Sequence, residues 1–388
     1  MSKTAPKVAI VAGEASGDLL GFHLIQALQV ERPDITFVGI AGPKMMSLGA
    51  QSLFPMERLS VRGYVEVLRH LYGLLKLRKQ LLKQLLEAKP DVFVGIDAPD
   101  FNFWLERKLK AKGIPTIHYV SPSIWAWRKG RIHKIKRAVS HMLALFPFEA
   151  PIYEQVNVPV TYVGHPLADV LPMEPEVEQV RETLKIHANT IVVAMLPGSR
   201  QSEVTQHAQL FVDTAKIIQQ EYAETTEVVF LVPLITRATR DIFEKAIHAA
   251  YLQQPELALN IQIMFGHAHE AMEAADVVIV ASGTATLEAA LLKKPMVITY
   301  KMPFLSWQIL KRMQYQPYVG LPNILAGKFL VPELLQNEAT PQNVADATLR
   351  LLSDKTYLQT LKEAFTRIHQ SLKQNSAKKA AQTVLSYL

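Results

Sequence analysis

Val8-Ala-Ile-Val-Ala-Gly-Glu-Ala-Ser-Gly-Asp18 is a five-residue apolar run that breaks on a glycine and opens into a helical pattern at 19–29. The same grammar returns at Ile191-Val-Val-Ala-Met-Leu-Pro-Gly-Ser-Arg200: an apolar run, a glycine-bearing turn, the start of a helix. Short runs without polar alternation suit strands of a parallel sheet, because helices cover both of its faces. Outward from the first stretch, such runs recur at 36–40, 92–96, 116–120, 141–146 and 161–163, with helical patterns at 101–112 and 131–138. Outward from the second, they recur at 228–232, 261–265, 277–280 and 296–299. Repeated βα units predict an α/β protein of two Rossmann-like, doubly wound domains. Proline and acidic residues interrupt both periods at Leu171-Pro172 and Glu174-Pro175, so the expected domains are 1–170 and 171–345. Residues 346–388 read as a helical tail that packs across the junction or is swapped in a dimer.

In 388 residues, 49% of them apolar, there is material for two cores. Lys and Arg number 42 against 35 Asp and Glu, and the formal charge of +7 favours contact with phosphate or an anionic surface. The absence of cysteine excludes disulfides, thiol nucleophiles and thiolate metal sites, and fits a reducing compartment. The apolar run at 8–12 is too short for a secretory signal. No stretch reaches the roughly 18 to 20 apolar residues of a spanning helix. A soluble or peripheral protein is expected.

In doubly wound sheets ligands bind beyond the carboxyl ends of the strands, where helix N-termini present free N–H groups. Three loops fit. The first, 13–18, carries glycines at 13 and 17 with a third at 21, which serve either an anion or the close packing of helix on strand. It matches neither the dinucleotide fingerprint nor a Walker loop. In the second, 196–203, Gly198 permits close backbone approach, Ser199 can donate, and Arg200 can hold a diphosphate through two N–H groups. In the third, Ser282, Gly283, Thr284, Ala285 and Thr286 offer a row of N–H and O–H donors, and Glu288 could accept two ribose hydroxyls. An ordinary capping box is the competing reading there. Two such loops in one half predict a site for a nucleoside diphosphate.

Pro-Gly-Ser-Arg at 197–200 paired with Ser-Gly-Thr-Ala-Thr-Leu-Glu at 282–288 is similar to nucleotide-sugar glycosyltransferases of the two-domain GT-B type. Gly-Glu-Ala-Ser-Gly-Asp at 13–18, Gly-Ile-Asp-Ala-Pro-Asp-Phe-Asn at 95–102 and Tyr-Val-Ser-Pro-Ser-Ile-Trp-Ala-Trp at 119–127 resemble the lipid-A-disaccharide synthases. So do Tyr-Val-Gly-His-Pro-Leu at 162–167 and Gly-Leu-Pro-Asn-Ile-Leu at 320–325, so the resemblance spans nearly the whole chain. It implies transfer of 2,3-diacylglucosamine from UDP-diacylglucosamine to 2,3-diacylglucosamine 1-phosphate, forming a β-1′,6 linkage with inversion. It also implies lipid A synthesis at the inner face of the bacterial cytoplasmic membrane, and a homodimer with exchanged C-terminal segments. Acceptor and substrate contacts fall on this resemblance to Ser16, Gly17, Ser121, Trp125 and Asn323.

Inversion needs a base beside the acceptor hydroxyl and positive groups beside the departing diphosphate. Asp97, at the carboxyl end of the run 92–96, is the candidate base, and the matching motif points to the same residue; capping of the next helix is the competing reading. Glu14 and Asp100 are the alternative carboxylates, His23 and His118 the alternative imidazoles. No Asp-x-Asp pair is present, so no metal and no cofactor are expected, and leaving-group charge falls to Arg200 and the donors at 282–286.

Two surfaces complete the reading. Between 64 and 86, Val67, Leu68, Leu71, Leu74 and Leu75 belong to an apolar helical stripe, with Leu77, Leu81 and Leu86 extending it. A face meeting membrane-surface lipids and a core helix are the two readings, the first favoured because lipid substrates come from a bilayer. Residues 128–137 hold six Lys or Arg and no acid, with Trp125 and Trp127 before them, which suits anionic headgroups. Without an RNA-binding motif, nucleic acid is not expected as a partner. A UDP-sugar epimerase or hydrolase of the same fold is the competing enzyme.

Overall fold

A computed structural model of the chain describes residues 5–59, 64–125, 129–255, 259–303, 307–308 and 316–388, without the side chains of 64–71 and 129. The chain forms two compact units, residues 1–169 with 371–388, and residues 170–370. Each is a parallel sheet covered by helices, as the apolar runs require.

In the first unit the strands are β1 (Lys7–Ala12), β2 (Thr36–Ile40), β3 (Gln51–Ser52), β4 (Val92–Ile96), β5 (Thr116–Tyr119), β6 (His141–Ala144) and β7 (Val160–Tyr162). Their order is β3-β2-β1-β4-β5-β6-β7, and every pairing is parallel. The order reverses between β1 and β4, where Ala9 faces Phe93 in register. The helix Ala15–Glu31 leaves β1 at once, and its glycines serve packing. A Cβ at Gly17 would stand 3.2 Å from Ala12 Cβ, and one at Gly21 would overlap the Met45 sulfur. Asp18 is buried and accepts from the N–H groups of Gly42, Lys44 and Met45 at 3.0 to 3.1 Å, capping the next helix, Pro43–Ser47.

The helix Tyr64–Ala88 covers one face of this sheet. Among its described side chains Leu77, Leu81 and Leu85 are buried, and Leu81 and Leu85 join the core of Ala9, Val11, Val38, Ile40, Phe93, Leu105 and Leu109. Leu77 and Leu81, taken from sequence as overflow from the stripe, are thus the inner ridge, because i, i+4 and i+8 align over the strands. Leu74 is half-buried and Leu75 is 40% exposed. The side chains of Val67, Leu68 and Leu71 lie outside the described residues, as do Trp127 and Arg128.

In the second unit the strands are β8 (Ile191–Leu196), β9 (Val228–Leu234), β10 (Ile261–Phe265), β11 (Val277–Ala281), β12 (Met296–Tyr300) and β13 (Glu333–Leu335). The order is β10-β9-β8-β11-β12-β13, again parallel throughout, and it reverses between β8 and β11. The helices Pro341–Ser353 and Lys355–Leu372 follow.

The last residues are clasped to the first unit. Asp169 accepts from the N–H groups of Asn375 and Ser376 and from the Ser376 hydroxyl. Tyr162 donates to Ser371 O at 2.6 Å, and the helix Ser376–Leu385 lies on Ala15–Glu31. Among the described residues no helix is long and apolar enough to cross a membrane.

Candidate active site

Each sheet places two loops at its point of reversed strand order. In the second unit these are the loop after β8 and the loop after β11, and together they wall a cavity of about 640 Å³. Its lining includes Gly198, Ser199, Arg200, Ser282, Gly283, Thr284, Ala285 and Glu288, so eight of the nine expected donor-site residues meet in one place. Tyr300, Met302, Trp307 and Ile235 add apolar and aromatic walls. Gly198 (φ 124°) and Gly283 (φ 135°) occupy backbone regions closed to other residues. At Gly198 there is also no room, since a Cβ would sit 2.6 Å from Glu203 Cβ.

Glu203 had no role in the sequence reading and organises the first of these loops. It accepts from the N–H groups of Ser199 and Arg200 at 3.1 and 3.2 Å, and it pairs with the Arg200 guanidinium at 2.8 Å. The Ser199 and Arg200 N–H groups are therefore already satisfied by a carboxylate, while the Arg200 side chain, though paired with Glu203, is 66% exposed. His207 is a second omission. It is fully buried, lies 3.0 Å from Pro197 O through Nδ1, and accepts from Lys301 N–H at 2.9 Å, tying the loop after β8 to the end of β12. Burial holds its pKa below the usual imidazole range.

The ninth residue, Thr286, is buried away from the cavity. Its hydroxyl donates to Gly283 O at 2.7 Å and accepts from Leu321 N–H, fixing the turn that exposes Ser282 to Ala285. Glu288 meets His269 Nε2 at 3.0 Å, and that bond raises the imidazole pKa. Asn323 is wholly buried, with its amide committed inside the loop 320–333. It donates to Val331 O and Glu333 and accepts from Leu330 and Val331 N–H. It is a loop clasp with no capacity left for a sugar hydroxyl.

In the first unit the loops after β1 and β4 approach closely, a Cβ at Gly13 lying 3.0 Å from Ala98 Cβ. Asp97 (φ 50°) and Ala98 (φ 43°) both adopt left-handed backbone, a conformation costing non-glycine residues about 1–2 kcal/mol each. The turn is held by Asp97 N–H donating to Tyr119 O at 2.9 Å and by Asn102 Nδ2 donating to Asp97 O at 2.8 Å. Pro99 then begins the helix Pro99–Lys110, its fixed φ suited to the first turn. Burial raises the Asp97 pKa, the charge of His118 and the Ala98 N–H oppose this, and Glu14 adds to the rise.

The remaining candidates divide. Glu14 is half-buried and Ser16 exposed at the same strand end. Asp100 is exposed and paired with Arg131. His118 is fully buried, so it cannot be the alternative base in contact with the acceptor. Ser121 is buried with its hydroxyl 2.7 Å from Tyr153 OH. Beside it the buried Glu149, accepting from Leu145 and Phe146 N–H, is pushed up to about 7 by desolvation. Trp125 is half-buried and meets Phe148 edge-on at 5.1 Å.

The lipid-A-disaccharide synthetase family model matches residues 8–386. The chain belongs to that family. A lipid-A-disaccharide synthase of Methylobacillus flagellatus is 65% identical over 383 residues, 99% of this chain and 100% of its own. That of Dechloromonas aromatica is 54% identical over 385 residues, covering 99% of each. Among solved structures, the glycotransferase of kitacinnamycin superposes with a TM-score of 0.63 at 17% identity, over 99% of both chains. A UDP-GlcNAc 2-epimerase from Neisseria meningitidis bound to UDP-GlcNAc does so with 0.63 at 14%, over 98% and 100%. At such identities these structures establish the GT-B fold alone, while membership of the synthetase family makes the chain a hexosyltransferase and displaces the epimerase reading.

Proposed function

We propose that the chain moves 2,3-diacylglucosamine from UDP to 2,3-diacylglucosamine 1-phosphate, giving the β-1′,6-linked disaccharide 1-phosphate and UDP. The observation that carries the donor half is the cavity at the β8–β11 reversal, where Arg200, the small residues 282–285 and Glu288 converge. Arg200 neutralises the departing diphosphate, and Glu288 accepts from ribose hydroxyls. Asp97 is the base. The acceptor O–H bond breaks and its proton passes to Asp97. The oxygen's electron pair forms the new bond to the anomeric carbon from the face opposite UDP, and the old bond breaks with its pair leaving on the diphosphate.

Incubation of the purified protein with both substrates tests this through coupled appearance of UDP and disaccharide. UDP release that is equal without acceptor would instead describe a hydrolase. Arg200→Ala removes a charge-assisted contact worth about 1.5–3 kcal/mol, so UDP affinity should fall about 10- to 150-fold. Glu288→Ala should weaken it severalfold. Unchanged UDP affinity in both variants would dismiss the cavity as the donor site. Since Arg200 carries the leaving-group charge and no Asp-x-Asp pair exists, turnover is expected to persist in EDTA; loss that Mg²⁺ restores would contradict this.

The same proposal places the enzyme at the inner face of the bacterial inner membrane, peripheral to it, as a homodimer. The basic charge and the exposed side of the helix Tyr64–Ala88 support the first part. The clasp of 371–388 onto Asp169 and Tyr162 is the segment suited to exchange between subunits.

A further inference from the structure

Behind Asp97 lies a group of polar side chains that no step of the transfer uses. The helix Pro99–Lys110 carries Asn102 and Glu106, one turn apart, on its inner face, and both are 0% exposed, as is His118 on β5. His118 Nδ1 and Glu106 Oε1 are 2.7 Å apart, and the Phe103 ring covers the imidazole at 4.4 Å between centroids. The pair fits because position 95 is glycine: a Cβ there would stand 2.3 Å from Glu106 Oε1 and 3.1 Å from Asn102 Cβ. Gly95 faces His118 in register, and Asp97 donates its N–H to Tyr119, the residue after His118. One helix thus clasps the Asp97 turn with Asn102 and reaches the neighbouring strand with Glu106.

Such a group is a poor device for stability. Asn102 Oδ1, Glu106 Oε2 and His118 Nε2 have no hydrogen-bond partner among the described residues. Buried polar atoms are nearly always paired, and apolar side chains of similar size commonly stabilise a core better than a sealed ion pair does. Departures of this kind concentrate at functional sites.

We propose that Glu106 and His118 are positioning residues for Asp97: Glu106 holds the His118 imidazole through Nδ1 behind the Asp97 turn, and the charge of His118 favours the ionised Asp97 carboxylate until it receives the acceptor proton. The inference rests on Asp97 being the base. It answers a requirement of that site, because burial and Glu14 both favour the protonated, inert form of Asp97, and His118 is the largest charge opposing them. Burial also lifts Glu106, while the charge of His118 and the hydrogen bond to it pull Glu106 back toward ionisation. Among the described residues, the other charged groups nearby include Glu14 at the end of β1, Asp100 with Arg131, and Arg78 of the helix Tyr64–Ala88, which reaches Asp100 O. None of these is substituted in the variants below.

The test is the pH profile of turnover for the wild type and Glu106→Gln, with UDP affinity and melting temperature on the same preparations. Glutamine keeps the shape and a carbonyl that accepts from neutral imidazole, but it no longer favours the imidazolium. Asp97 then protonates at higher pH, so the acid limb should move up by about one unit. That is about a tenfold loss below the limb, with recovery at alkaline pH and unchanged UDP affinity. The double variant Glu106→Gln/His118→Asn, two neutral amides able to bond each other, should show the same displacement and covers the case in which the single variant fails to fold. An unmoved limb, or an equal loss at every pH, overturns the proposal. Asp97→Asn run alongside separates the two ideas. If it stays active, the base assignment fails and the inference with it. If it is inactive while the Glu106→Gln limb is unmoved, only the role of the pair fails.

Discussion

Asp97→Asn is expected to lower turnover about 10²- to 10⁴-fold while leaving UDP affinity and the fold intact. Asparagine is the informative substitution because Asp97 sits at φ 50° in left-handed backbone, a region that Asn tolerates and most residues do not. The N–H to Tyr119 and the carbonyl bound by Asn102 belong to the main chain and survive the change. What disappears is the carboxylate. UDP affinity should hold because the donor cavity is lined by residues of the other unit.

The stability consequence has a definite sign. A carboxyl group whose folded pKa is raised favours folding most when protonated, and it withdraws that stability as pH rises from the unfolded value through the folded one. At neutral pH the ionised Asp97 therefore burdens the fold, and Asp97→Asn should melt at the same temperature as wild type or higher. A helix cap would behave otherwise, since Asn caps as well as Asp and turnover would survive. Near-normal turnover removes Asp97 as the base and moves attention to Glu14. In the wild type the raised pKa also places the acid limb of turnover above the ordinary carboxylate range, which the pH profile measures directly.

Strands were legible wherever burial on both faces forced an unbroken apolar run, so 36–40, 92–96 and 191–196 coincide with β2, β4 and β8, while 261–265 coincides with β10, an edge strand that is only partly buried and carries Gln262. The edge strands β3 and β13 were not, because Gln51-Ser52 and Glu333-Leu-Leu335 are too short to carry a period. Loops that follow strands could be found from pattern alone, and strand order then brings them together in pairs, which explains the convergence of 198–200 with 282–288. Residue type, however, does not say which way a polar side chain faces. Thr286 was grouped with ligand contacts because it can donate, and Asn323 through the family resemblance, yet both spend their hydrogen-bonding capacity on the protein's own loops. Glu203 and His207 escaped notice for the converse reason, looking like ordinary helix residues until the fold placed them against the loop. The Glu106–His118 pair depends on two elements meeting across Gly95, information that exists only once β4 and β5 are paired.

The helix Tyr64–Ala88 should answer two substitutions in opposite ways. Leu81 is fully buried in the same core cluster as Val11, Ile40 and Phe93, so Leu81→Ala removes transfer energy and leaves a cavity, costing about 2–5 kcal/mol. For a unit of this size the melting temperature should fall on the order of 10 °C. About two turns earlier the environment is different: Tyr72 is 80% exposed and Leu75 40% exposed. Leu75→Ser, alone or with Leu74→Ser, should stay within about 0.5–1 kcal/mol of wild type, as surface changes usually do. If that side meets lipid, the same variants should lose sedimentation with anionic vesicles and gain solubility without detergent, because an exposed apolar face is what binds an interface. Melting curves and vesicle sedimentation on Leu81→Ala and Leu75→Ser decide the matter together. A fall in melting temperature for Leu75→Ser comparable to that of Leu81→Ala would make the whole helix a core element and remove the membrane face. Unchanged sedimentation with an unchanged melting temperature would move the lipid contact elsewhere on the chain, with the basic segment 128–137 next in line.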